Sequence, residues 1–134
     1  MSVERNTIIQ LMLKRGLFES ASADELGQLV DHGSQETIAS ETLLIEQGKI
    51  GEAVWILLSG TVRIVENGKE KHQLDSQGTI LGEISAVSLT AATATVQARD
   101  EVKALRISHQ DFHKALTSNA KLANLVLRSM SKYL

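Results

Sequence analysis

Gln47-Gly48-Lys49-Ile50-Gly51-Glu52-Ala53-Val54-Trp55-Ile56-Leu57-Leu58-Ser59-Gly60-Thr61-Val62-Arg63-Ile64-Val65 reads as two strands and the turn between them. Val54 to Leu58 is a short apolar run, and Ser59-Gly60 supplies the turn chemistry that ends it. Val62 to Val65 follows and stops at Asn67-Gly68. Asn-Gly is the strongest short hairpin signal, because a type I′ turn needs positive φ at both central residues. Gly48, Gly51, Gly60 and Gly68 read as turn residues that space the strands. They support a fold and carry no information about a ligand.

Working outward, Leu43, Leu44 and Ile45 form a further short strand ending at Gly48, and the helical period gives way at Thr37. Val3 to Lys14 places Ile8, Leu11 and Met12 at helical spacing, with Gly16 closing the helix. Ser22 and Glu25 make a capping box that opens a second short helix through Leu26, Leu29 and Val30. Downstream, strands are expected at Thr79–Leu81, Thr93–Ala98 and Val102–Ile107. Ser108 with Asp111 is a second capping box, opening a helix through Phe112 and Leu116. A last helix from Asn119 runs through Leu122, Val126, Met130 and Tyr133. Many short strands with glycine turns predict a β-sandwich or barrel. The pattern divides one domain into N-terminal helices over 1–36, a β-roll over 37–107 and C-terminal helices over 108–134.

Composition bounds the function. A chain of 134 residues, 43% hydrophobic, is one domain large enough to bury a core unaided. A net charge of −2 gives no basic footprint for nucleic acid. With zero cysteines, disulfides and thiol chemistry are excluded. The apolar runs fall short of the roughly 18–20 residues that span a bilayer, and no signal-peptide pattern opens the chain. A cytoplasmic address follows as the default. His109 and His113 stand four apart, the spacing of two metal ligands on a helix, but no third ligand accompanies them. They read as a solvated helix face. His32 and His72 stand alone, and no G-x-S-x-G, Walker loop or paired carboxylates appear. The chain reads as non-enzymatic, with no cofactor implied.

Glycine spacing adds what periodicity does not. Gln47 to Gly60 resembles the E-G-D-P-G-D-S-L-Y-I-I-L-S-G run of the cyclic nucleotide-binding domain family, and the register continues to Val65. Gly16-Leu17-Phe18 and Asp24-Glu25-Leu26 are similar to that family's leading helix, L-F-x-x-L-x-x-E-x-L. Gly78 and Gly82-Glu83 match its G-x-x-x-G-E, the start of a phosphate-binding cassette that here runs from Gly78 to Val96 and closes on an A-T-V-x-A strand. The resemblance covers roughly Gly16 to Met130. It implies an eight-stranded antiparallel jelly roll, a double-stranded β-helix, between N- and C-terminal helices. Trp55 falls on the family's aromatic strand position and reads as core.

The same resemblance implies a set of ligand contacts. Gly82, Ile84 and Ser85 would offer backbone N–H groups at the start of a short helix to a cyclic phosphate. Glu83 would accept from the ribose 2′-hydroxyl, or else serves as a structural carboxylate capping nearby amides. Thr93 would bring a hydroxyl to a phosphate oxygen. Ser85, Ser88, Thr90, Thr93 and Thr95 read either as pocket lining or as a solvated loop.

The departure lies at Ala92, which occupies the position of the cassette's phosphate-binding arginine. A charge-assisted bond to a guanidinium is worth about 1.5–3 kcal/mol. Its loss corresponds to roughly ten- to 150-fold in affinity. Arg63, Lys69 or Arg99 would substitute only by folding inward. Ser40 for a glycine and Gln47 for a glutamate are lesser departures.

Two functions are therefore expected. The first is a regulatory ligand-sensing module with weak or altered cyclic nucleotide binding, or with a different, less anionic ligand. The second is a ligand-free interaction module that keeps the roll as scaffold and dimerises or docks through its helices. Leu122, Leu125, Val126, Leu127, Met130, Tyr133 and Leu134 put apolar groups on overlapping faces of the last helix, which suggests a partner helix in a homodimer or a cover for the roll. Neither nucleic acid nor membrane is an expected partner. Met1 reads as a natural start, and the chain stops at Leu134 inside the helix that leads to an output domain in the family's transcription regulators.

Overall fold

A computed structural model of the chain describes residues 2–15, 18 and 21–131, the side chains of 129–131 excepted. Among these residues the elements run α1 Arg5–Leu13, α2 Ala23–Val30, β1 Ser34–Ile38, β2 Leu43–Ile45, β3 Ala53–Ser59, β4 Val62–Glu66, β5 Lys69–Leu74, β6 Ile80–Leu81, α3 Glu83–Ser88, β7 Thr95–Ala98, β8 Val102–Ser108, α4 His109–Ser118 and α5 Ala120–Ser131. The strands form two four-stranded antiparallel sheets, ordered β1-β8-β3-β6 and β2-β7-β4-β5. The expected jelly roll with flanking helices is the observed fold.

The β3 sequence shows why the roll and the helices form one body. Side chains alternate across a strand, so Val54, Ile56 and Leu58 face one side and Leu57 the other. The first three join Leu105 and Ile107 of β8 and buried residues of all five helices, α3 contributing Ala86. Leu57 joins Val62, Val96, Ala98 and Ala104 between the two sheets. A strand apolar on both faces must be covered on both faces, and the helices supply the second cover. Fully burying each large aliphatic or aromatic side chain contributes about 1.5–3 kcal/mol. Phe18, Leu26, Phe112 and Leu122 are all fully buried.

Local chemistry sets the element ends. Ser22 Oγ accepts from Glu25 N at 3.2 Å, and Ser108 Oγ accepts from Asp111 N at 3.1 Å, as both capping boxes predict. Asn119 Oδ1 accepts from Leu122 N at 3.1 Å and starts the last helix. Such caps contribute about 1 kcal/mol each. The β4–β5 turn has φ of 55° at Asn67 and 78° at Gly68, the expected mirror-image turn. Gln47 explains its own departure from glutamate. Its Nε2 donates to Asn67 Oδ1 at 2.9 Å while its Oε1 accepts from Asn67 N at 2.8 Å, and a carboxylate could only accept.

Three expectations need correction. Trp55 is half-buried, packing at the border of the inter-sheet cluster with the Arg106 guanidinium 5.9 Å from its ring centroid. His109 and His113 are not a solvated face: both are half-buried, because α4 lays that face against β3 and α3. The roll begins at Ser34 with β1 and not at 37, and strand β5, Lys-Glu-Lys-His-Gln-Leu, joins it outside the six expected strands because its polar composition hides it. Gly16, Leu17, Tyr133 and Leu134 lie outside the described residues, as does the Met130 side chain. Leu122 and Val126 are fully buried against the domain, whereas Leu127 is exposed.

Candidate ligand pocket

Gly82 ends the short β6 strand and stands at the N-terminus of α3 with φ of 87°, a conformation that favours glycine. A Cβ there would also crowd Ile45 Cδ1 at 3.0 Å. Helix bonding begins with Ala86 N donating to Gly82 O at 3.2 Å, so the amides of Ile84 and Ser85 precede the first intrahelical bond. Beyond α3 the chain turns back at Leu89, which has φ of 56°. The turn is fastened by hydroxyls: Ser85 Oγ donates to Thr90 O at 2.6 Å, Ser88 Oγ to Ile84 O at 2.6 Å, and the Ser88 and Thr90 hydroxyls lie 2.7 Å apart.

Ala92 is held from both sides of its peptide. Its N–H donates to Lys49 O at 3.0 Å and its carbonyl accepts from Gly48 N at 2.9 Å, pairing the segment that returns from α3 with the β2–β3 loop. Thr95 Oγ1 accepts from Gln47 N at 3.0 Å in the same seam. A cavity of about 330 Å³ opens between α3, this return segment and the inner face of the roll. All six sequence-predicted site residues, Gly82, Glu83, Ile84, Ser85, Ala92 and Thr93, line it. Ile45, Ile64, Leu74, Ile80, Leu81 and Val96 complete the apolar wall.

Among the described residues no lysine, arginine or histidine lines this cavity. Arg63 lies on β4 between Val62 and Ile64, which face the roll interior, so its side chain takes the opposite face. There it contacts Glu41 Oε2 at 2.9 Å and Glu70 Oε1 at 3.2 Å. Arg99 Nη1 donates to Gln73 Oε1 at 3.1 Å, and Lys69 sits exposed beside the β4–β5 turn. None of the three lines the cavity. Of the hydroxyl series, Ser85, Ser88, Thr90 and Thr95 are engaged within the protein, and exposed Thr93 stands at the cavity rim.

The His109–His113 pair, expected on a solvated face, lies behind α3. His113 Nε2 lies 2.5 Å from Ala86 O, which bonds α4 to the cassette helix. His109 Nε2 is buried with no hydrogen-bond partner among the described residues. Burial first, and then the adjacent His113, holds the His109 pKa below the usual histidine range. Their four-residue spacing was the available signal, and it identifies a shared face without saying what covers it.

Residues 35–119 match the model of the cyclic nucleotide-binding domain. The chain is 26% identical over 136 residues to the potassium channel AKT1 of Oryza sativa subsp. indica, an alignment covering 99% of this chain and 14% of the channel. Cyclic AMP-bound PfPKA-R (141-441) superposes with a TM-score of 0.78 at 16% identity, covering 96% of this chain and 44% of that one. A triple variant of the regulatory subunit of a cAMP-independent protein kinase A from Trypanosoma brucei, bound to cAMP in its A site, superposes with a TM-score of 0.74 at 25% identity, covering 94% of this chain and 47% of that one. The chain thus spans about a seventh of the length of the channel and less than half of each kinase subunit structure. With its fold and the family match in agreement, the chain belongs to the cyclic nucleotide-binding domain family.

Proposed function

We propose that the chain is a non-catalytic ligand-sensing regulatory module of the cyclic nucleotide-binding type, which holds cyclic nucleotides weakly because Ala92 replaces the cassette arginine. The observation that carries this reading is the cavity wall itself, which has no lysine, arginine or histidine among the described residues. A cyclic phosphate placed there keeps its charge without a counter-ion, and desolvating such a charge is costly. The absent charge-assisted bond accounts for about 1.5–3 kcal/mol, or roughly ten- to 150-fold in affinity.

Two further features support it. The Trypanosoma brucei neighbour is described as cAMP-independent, and one of the three substitutions in its cAMP-bound variant introduces an arginine. The bond between His113 and Ala86 O gives a route for output, since movement of α3 on ligand binding would be felt at α4.

Titration calorimetry with cyclic AMP and cyclic GMP tests the proposal. Dissociation constants no tighter than about tens of micromolar are expected for both. A sub-micromolar value for either nucleotide would sink it.

A further inference from the structure

We infer that the roll cavity takes an uncharged, largely apolar small molecule in place of a cyclic phosphate. The inference rests on the reading of this cavity as a ligand site and names the chemistry of its occupant.

Size and wall agree. About 330 Å³ falls at the lower end of small-molecule pockets, which run from about 300 to 1,000 Å³. Ile45, Ile64, Leu74, Ile80, Leu81 and Val96 come from both sheets and present hydrocarbon to it. The polar side chains on the wall are largely spent on the protein. Thr79 Oγ1 donates to Ser76 O at 2.6 Å, Ser85 Oγ to Thr90 O at 2.6 Å, and the Thr90 hydroxyl meets Ser88 Oγ at 2.7 Å. Beyond the Ile84 and Ser85 amides and the Thr93 hydroxyl at the rim, a polar ligand would find few unmet partners there, and burying polar groups without partners is unfavourable.

Charge decides between an anion, a cation and a neutral molecule. Glu83 is the charged residue on the wall, and it already has a partner within the protein. An anion would therefore sit beside a carboxylate with no cation lining the cavity among the described residues, and an organic cation would find as its counter-charge a single carboxylate that already has another interaction. A neutral apolar molecule meets neither obstacle.

The test uses the intact chain and N-phenyl-1-naphthylamine, an uncharged probe whose emission rises in apolar surroundings, with cyclic AMP titrated in parallel. Saturable one-to-one probe binding is expected. Ala92→Arg should weaken it about tenfold or more, since a guanidinium enters an apolar cavity. Leu127→Arg, which charges the exposed apolar site on α5, should leave it unchanged. Should Ala92→Arg fail to fold by circular dichroism, Thr93→Asp charges the same rim and carries the same expectation. Probe binding abolished by Leu127→Arg but kept with the charged cavity variant overturns the inference, because the probe then sits on α5. Cyclic AMP binding without probe binding overturns the inference alone, whereas binding of neither overturns the sensor reading as well.

Discussion

His113 Nε2 on α4 lies 2.5 Å from the carbonyl oxygen of Ala86, a fully buried residue of α3. The helix that walls the cavity is thereby bonded to the helix that follows the roll. Two elements far apart in sequence share a polar contact in a place where water has little access, so its loss should register in both.

The first prediction follows from that bond. His113→Leu keeps an apolar body but leaves the Ala86 carbonyl without its side-chain partner. Stability should fall by about 1–3 kcal/mol, the desolvation cost of an unmet buried group. Amide exchange should accelerate in α3 and α4 and stay unchanged in the β4–β5 hairpin. If exchange in α3 is the same in both proteins, the contact does not couple the two helices.

Acid should destabilise the protein through His109. Its pKa is held low first by burial and then by His113, with a smaller opposing contribution from the Ala53 carbonyl; Arg106 lowers it slightly and Glu52 raises it. The fold therefore prefers the neutral ring. Above about pH 6.5 the histidine is neutral in folded and unfolded chains alike and contributes nothing. Below that value the unfolded chain takes up the proton first, so stability falls as pH drops towards the lowered folded-state pKa. His109→Leu should flatten the dependence of the melting temperature on pH below about 6.5 while changing little above it. Parallel curves for the two proteins would remove His109 as the cause.

Gly78→Ala and Gly68→Ala should separate two sources of strain. Both glycines have positive φ, 90° at Gly78 and 78° at Gly68, a region that costs an ordinary L-residue about 1–2 kcal/mol. A Cβ at Gly68 meets nothing within 4 Å, whereas at Gly78 it overlaps the Leu11 carbonyl and comes 2.9 Å from Met12 N. The obstacle is the backbone of α1, which cannot swing aside as a side chain can. Denaturant melts should show Gly78→Ala losing more stability than Gly68→Ala by about 1 kcal/mol or more. Equal losses would mean that α1 shifts freely over the roll.

What the sequence reveals follows from which signals are local. Strand β3 is legible because its residues are apolar on both faces, and the capping boxes are legible because their partners lie three residues apart. Strand β5 is hidden because Lys69, Glu70, Lys71, His72 and Gln73 are all exposed, so only the Asn67-Gly68 turn announces that a strand must return. The residues that line the cavity are legible through spacing. The fate of the hydroxyls is not, since Ser85 bonds a carbonyl five residues away across a turn whose shape the fold sets. Arg63 is the plainest case. Alternation along β4 places it on the outer face only once Val62 and Ile64 are known to face inward.

The last prediction concerns Ala92→Arg. The Ala92 peptide is fixed by bonds to Lys49 O and Gly48 N, at 3.0 and 2.9 Å, so a larger side chain need not disturb the backbone that carries it. Ala92 lines the cavity alongside Gly82, Glu83, Ile84 and Ser85. An arginine there would bring a planar fork of donors to the region where the early α3 amides open. Cyclic nucleotide binding should strengthen by about 1.5–3 kcal/mol, measured by calorimetry, with a matching rise in melting temperature when nucleotide is added. In that background Glu83→Ala should surrender part of the gain if the carboxylate accepts from a ribose hydroxyl, and the two substitutions should then be non-additive. The same arginine should exclude the apolar probe, so gain of nucleotide and loss of probe are expected together. If Ala92→Arg folds normally and gains nothing for cyclic AMP or cyclic GMP, the cassette has diverged beyond its missing cation. The roll then serves better as a scaffold, and its helices become the place to look for a partner.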